Sequence, residues 1–137
     1  MKAVLIDPFT REVSDFEFEG ETLAALYKLI DCTTVTAVSL VFDDQVVSLF
    51  LDDEGLFVRD QKFWSIFQYP EPLAGRAVIL GFDASSGESL DVPVDASRVV
   101  EEGVIFFESA QHAIDFMNAR ESKIALSGKH CGMRSAS

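Results

Sequence analysis

Thr34–Leu51 reads TVTAVSLVFDDQVVSLFL: two runs, Thr34–Phe42 and Gln45–Leu51, on either side of the pair Asp43-Asp44. Val and Thr lose rotamer freedom in a helix but pack well on a pleated surface. Two such runs joined by two turn-forming residues predict a β-hairpin. A second acidic turn, Asp52-Asp53-Glu54-Gly55, closes it. Antiparallel strands are therefore expected here.

On the N-terminal side, the apolar run Lys2–Ile6 stops at Asp7-Pro8 and reads as a buried first strand. Arg11–Glu19 alternates, with Phe16 and Phe18 on one face and Asp15, Glu17 and Glu19 on the other. It is expected to be a half-exposed hairpin partner of the first strand. After Gly20 the period changes: Leu23, Leu26, Tyr27 and Ile30 predict an amphipathic helix from Glu21 to about Asp31.

On the C-terminal side, Asp60–Gln68 places Phe63, Trp64 and Phe67 at helical spacing. A short aromatic helix capped by Asp60 is expected there. Tyr69-Pro70-Glu71-Pro72 forbids helix and central strand alike. Arg76–Phe82 is a strongly apolar strand, Asp83–Glu88 a turn, and Leu90, Val92 and Val94 alternate in a returning strand. Val104–Phe107 predicts one more short strand. Ser109 is expected to cap a helix to about Leu126, with Ala113, Ile114, Phe116 and Met117 on its apolar side. Arg120 and Lys123 would oppose the negative end of its dipole. These pieces predict one α+β domain over residues 1–127: a mostly antiparallel sheet of hairpins, two main helices and one short aromatic helix. Residues 128–137 read as a disordered tail.

A chain of 137 residues with 48% hydrophobic and 25% charged side chains suits one soluble globule. It would bury about two-thirds of its surface, enough for a core without disulfides or a structural metal. Twelve Phe, against two Tyr and one Trp, predict a Phe-rich core. The net charge of −12 argues against general nucleic-acid or anionic-membrane binding, which needs clustered Lys and Arg. No apolar run approaches the roughly 20 residues of a membrane span, and MKAVLIDPF lacks the pattern of a signal peptide. Cys32 and Cys131 are most simply two reduced thiols, so the cytoplasm is the expected location.

The motifs of catalysis are missing. Gly75, Gly81 and Gly87 form no Gly-x-Gly-x-x-Gly, and Gly128-Lys129 is followed by His130 rather than Ser or Thr. His130-Cys131 are neighbours that do not easily share one ion, and an EF-hand beginning at Asp52 would put Phe57 where Gly is required. Ser85-Ser86-Gly87 lacks the nucleophile elbow, and nothing local activates Cys32 toward His112. Hence no catalytic residue, cofactor or metal is expected, and the chain reads as a non-enzyme.

Charge distribution is more informative. Residues 1–108 hold 21 acidic and 7 basic side chains, a net of −14, while residues 109–137 carry a net of +2. Asp15, Glu17 and Glu19 would stand about 6.8 Å apart on one strand face. With Asp43, Asp44, Asp52, Asp53 and Glu54 they are the candidate partner-binding residues. Three readings compete: a solvated face, a docking face for a protein, and a row that imitates the phosphates of DNA. The cluster Phe63-Trp64-Phe67 reads as core filler or as an exposed anchor. A small-molecule or nucleotide pocket near Trp64, Tyr69 and Arg76, between subunits, is a further alternative.

Met1–Pro8, the helix after Gly20, Leu49–Leu56 (LFLDDEGL) and Pro72–Gly81 (PLAGRAVILG) resemble a family of small uncharacterised proteins carried by bacteriophages, prophages and plasmids. The likeness covers roughly residues 1–95. It implies a mobile-element context and no catalytic residue. The expected function is a phage or mobile-element accessory protein that binds a host or phage protein through its acidic surface. The alternatives are a DNA-mimic or anti-defence inhibitor and a nucleotide-sequestering protein. A homodimer through exposed sheet edges stays open, because acidic turns would repel a close neighbour.

Overall fold

Continuous apolar runs, Lys2–Ile6 and Arg76–Phe82, build a sheet whose centre is buried on both sides. The computed structural model describes residues 1–127, with side chains through residue 119. Its elements are β1 (Lys2–Asp7), β2 (Glu12–Glu17), α1 (Thr22–Ile30), β3 (Val35–Phe42), β4 (Gln45–Asp52), a 3-10 turn (Gly55–Phe57), β5 (Phe63–Ser65), β6 (Leu73–Ala74), β7 (Ala77–Phe82), β8 (Ser89–Leu90), α2 (Ala96–Glu101), β9 (Ile105–Phe106) and α3 (Ala110–Ser127). The fold mixes helices with antiparallel sheets.

The main sheet has the order β2-β1-β7-β4-β3, with β8 added to the end of β7. Central β7 is buried at Ala77–Gly81, because both of its faces are covered. On one face Val4, Ile6, Leu40, Phe42, Val47, Leu49, Ala77 and Ile79 meet Trp64, Ile66, Leu73 and Val99. Those partners come from α2 and from a small second sheet, β6-β5-β9, with the segment after β5. On the other face Ala3, Phe18, Val78 and Leu80 meet Leu26 and Ile30 of α1. Leu23, expected on the buried side of that helix, is 45% exposed. Asp31 ends α1 in the left-handed region at φ 64°, where its N–H donates to the Tyr27 carbonyl.

The expected aromatic helix is not present. Phe63–Ser65 is extended, and Trp64 pairs with Leu73 on one side and Phe106 on the other. Asp60, its expected cap, sits at φ 58° in a turn. Trp64 and Ile66, two residues apart, enter the core, whereas Phe67 is 83% exposed. Strand pairing to distant segments thus overrides a spacing that three aromatic residues also satisfy for a helix.

Two further differences follow. Only Ser89–Leu90 of the returning strand joins the sheet, since its register would next bring Val92 to Ile79, which Val4 of β1 and Leu49 of β4 already flank. Beyond it, Asp95 accepts a hydrogen bond from the Arg98 amide at 2.9 Å and caps α2, a helix absent from the sequence-based expectation. Ser109 does cap α3, its hydroxyl accepting from the His112 amide at 3.1 Å. Phe116 packs against Phe107 at a ring separation of 5.2 Å. The side chains of Arg120 and Lys123, and the whole segment 128–137 with Cys131, lie outside the described residues. Among the described residues, no helix is long and apolar enough to cross a membrane.

Candidate functional site

The candidate site lies where the start of β1 and the end of β2 meet a segment from far along the chain. The β1–β2 register places Lys2 opposite Glu17 and Val4 opposite Asp15. Residues two apart share a strand face, so Asp15 and Glu17 point the same way. Asp91 accepts from the Lys2 amide at 2.9 Å, and the Val92 amide donates to the Lys2 carbonyl at 2.9 Å. Those two bonds hold Val92–Asp95 beside the β1–β2 pair. At its end Asp15 accepts from the Ala96 amide at 2.9 Å, so Asp15 and Asp95 both occupy the first turn of α2.

Between these walls lies an open groove of about 400 Å³, lined by Lys2, Ala3, Asp15, Phe16, Glu17, Val92, Val94 and Asp95. The apolar side chains on the face of Asp15 and Glu17 are those of Val92 and Val94, while Ala3 and Phe16, one residue out of step, turn toward the α1 face; three carboxylates and one ammonium complete the lining. A carboxylate that bonds one amide through one oxygen keeps acceptor capacity on the other. Such a lining suits a side chain with an apolar stem and a cationic end.

The remaining sequence-derived candidates are spread apart. Glu19 lies past the end of β2. Asp43 and Asp44 form the β3–β4 turn at φ 52° and 67°. Asp52, Asp53 and Glu54 sit at the opposite end of β4, about 27 Å away for an eight-residue strand. There Asp52 accepts from the Glu54 amide at 2.9 Å. β2 and β3 are the two outer strands of the five-strand order, four strand spacings or about 19 Å apart. The eight carboxylates therefore fall into three places rather than one track.

Trp64, Tyr69 and Arg76 each make their contacts within the chain. Trp64 is fully buried and its indole N–H donates to the Gly75 carbonyl at 3.0 Å. Arg76 Nε donates to Asp7 at 3.3 Å, and its guanidinium lies 4.8 Å from the Phe9 ring centre. Tyr69 is half-buried against the core.

Sequence reasoning missed a polar clasp beside β3. Arg98 donates to Asp43 from Nε and Nη2 at 3.2 and 3.1 Å, and from Nη1 to Glu102 at 3.1 Å. Hydrogen bonds to Asp43 and Glu102 push the guanidinium pKa up. Gln68 Nε2 donates to Glu102 at 2.9 Å. The same amide accepts from the Val41 N–H at 2.8 Å and donates to the Val41 carbonyl at 2.7 Å. Asp43 and Arg98 are 55 positions apart, so no local pattern announces the pair.

Cys32 and His112 are not a dyad. Cys32 packs with the α1 side of the sheet. His112 lies edge-on to Phe107, whose amide donates to Phe63 in the second sheet on the opposite face. Among the described residues, no group of three or more His, Cys, Asp or Glu side chains is placed to hold a metal ion. Burial, helped by the charge of Asp52, pushes the Cys32 thiol pKa up. The neutral thiol therefore persists to higher pH than usual. In a Cys131→Ser background, Cys32 is expected to react several-fold more slowly with iodoacetamide at about pH 8 than a peptide cysteine. A rate equal to the peptide's would refute this.

The family model of a domain of unknown function, DUF3846, matches residues 1–103. The chain belongs to this family. The DUF3846 region contains the whole main sheet, α1, α2 and every residue lining the groove. It stops short of β9, so the third strand of the small sheet and α3 are additions to the matched DUF3846 segment. "Uncharacterized protein y4iR" of Sinorhizobium fredii (strain NBRC 101917 / NGR234) is 32% identical over 114 residues. The aligned region is 82% of this chain and 66% of that protein, so the chain spans just under two-thirds of its relative. No solved structure matches the chain.

Proposed function

We propose that this DUF3846 protein is a non-enzymatic accessory protein of a phage or other mobile element. In this reading it acts in the bacterial cytoplasm and binds a host or phage protein through its acidic face. The supporting observation is the groove in which Asp15, Glu17 and Asp95 border an apolar strip. Of the three sets of candidate carboxylates, the one at Asp15 and Glu17 combines charge with a concave apolar lining. Asp43 is already engaged by Arg98. The apolar strip favours burial of a side-chain stem, and the carboxylates select a Lys or Arg at its tip. The mobile-element setting rests on the resemblance of the segments in Met1–Gly81.

Salt should weaken such binding, because the groove is open and its charges are screened. The test is affinity capture from host lysate at low salt with the wild type and an Asp15→Asn/Glu17→Gln variant. Asparagine at 15 can still accept from the Ala96 amide, so α2 keeps its anchor while the charge is lost. The expected result is a partner retained by the wild type and reduced about tenfold or more by the variant or by high salt. Equal retention by both proteins, or an empty eluate at low salt, would overturn the reading.

A further inference from the structure

The two outer strands of the main sheet are protected very differently. β2, Glu-Val-Ser-Asp-Phe-Glu, carries three carboxylates in six residues, and one of them anchors α2. β3, Val-Thr-Ala-Val-Ser-Leu-Val-Phe, carries no charge in eight residues. An uncharged, proline-free edge strand is open to pairing with another strand.

The register shows which peptide groups are free. The two-residue turn makes Phe42 and Gln45 the first hydrogen-bonded pair, and alternate residues follow. Phe42, Leu40, Val38 and Thr36 therefore direct their N–H and C=O toward β4. Val41, Ser39, Ala37 and Val35 direct theirs away from the sheet. Gln68 satisfies both groups of Val41. Among the described residues, the outward groups of Val35, Ala37 and Ser39 meet no partner.

We propose that β3 pairs antiparallel with β3 of a second copy, about a two-fold axis through Ala37. That register sets Val35 against Ser39, Ala37 against Ala37 and Ser39 against Val35 of the other copy. It uses all three free positions in six N–H···O bonds and ends where the Gln68 amide blocks Val41. The side chains brought face to face are Val, Ala, Ser and Thr. A second copy is the occupant the strip itself selects: its three free positions are symmetric about Ala37 and bounded at Val41 by the Gln68 amide, and along them two chains of net charge −12 oppose no like charges, although the acidic turns beyond the strip still repel. β2 paired with itself would set carboxylates close together. One strand per copy is a small contact, so a dissociation constant on the order of micromolar is expected.

Screening gives the dimer a distinctive sign. Added salt relieves repulsion between the acidic bodies and tightens self-association, whereas it weakens the partner binding proposed above. The two readings can thus fail separately. Sedimentation equilibrium from about 1 to 200 μM should show the 15.1 kDa chain passing to twice its mass, with a smaller dissociation constant at higher salt. Ala37→Lys places two ammonium groups opposite each other across the axis and should raise the dissociation constant at least tenfold. Ser14→Lys, on β2, should leave it unchanged. Amide exchange on the wild type gives an answer even where Ala37→Lys fails to fold. Val35, Ala37 and Ser39 should exchange slowly at high concentration and quickly on dilution. A wild-type monomer throughout the range, a dimer that survives Ala37→Lys, or concentration-independent exchange at these amides would each overturn the proposal.

Discussion

Truncating Trp64 to alanine is expected to cost about 3–5 kcal/mol, the range for emptying a large aromatic site in a core. The indole is fully buried between the two sheets, and its N–H satisfies the Gly75 carbonyl at 3.0 Å. Truncation removes dispersion contacts and leaves that carbonyl without its partner. Domains of this size have total stabilities of roughly 5–15 kcal/mol, so a large share would be lost. The melting temperature should fall on the order of 10–20 °C. Trp64→Phe separates the two contributions, since it keeps most of the apolar volume but not the donor. It should cost about 1–3 kcal/mol. Urea unfolding followed by far-UV circular dichroism measures both, because the fluorescence probe is itself removed. A loss below about 1 kcal/mol for Trp64→Ala would contradict the packing described.

Gly81→Ala carries the second large effect, and here the fault is crowding. A Cβ at Gly81 would stand 2.4 Å from the Asp91 carbonyl oxygen, which is backbone and cannot swing aside. The clash would push Leu90–Val92 off β7 and strain the bonds that join Lys2 to Asp91 and Val92. A cost of about 2–3 kcal/mol is expected from overpacking at such a site. The consequence reaches the groove, whose second wall continues from those residues through Val92, Val94 and Asp95. Partner capture should fall along with stability, and the Val92 amide should exchange faster with solvent. Gly87→Ala is the comparison: its Cβ would meet nothing within 4 Å, although its φ of 78° carries a backbone cost of about 1 kcal/mol. Equal effects of the two substitutions would show that crowding against Asp91 is not the cause.

Much of the main sheet was legible because each strand states its own burial. Lys2–Ile6 and Arg76–Phe82 are continuous apolar runs, as strands covered on both faces require. Phe63-Trp64-Phe67 misled because short aromatic segments satisfy both a period of 3.6 and a period of 2. What settles that segment is pairing with Leu73 and Phe106, neither of which is a near neighbour. α2 carried a readable signal in Asp95 followed by Val99, which lies fully buried against the core. The shared orientation of Asp15 and Glu17 follows from strand alternation alone. The groove beside them does not, because its walls are joined by bonds spanning 81 and 89 positions.

Strand polarity, the sides of each strand that face solvent, and the strongly anionic exterior were set by local pattern and composition, for which nearest neighbours in the chain suffice. Which carboxylates are occupied and which stay free was decided only by tertiary structure. So was the contrast between an acidic β2 edge and an uncharged β3 edge that, among the described residues, is sealed at Val41 alone. A hydrogen bond such as that between Gln68 and Val41 exists only once the chain has brought distant segments together, and no local periodicity encodes that meeting.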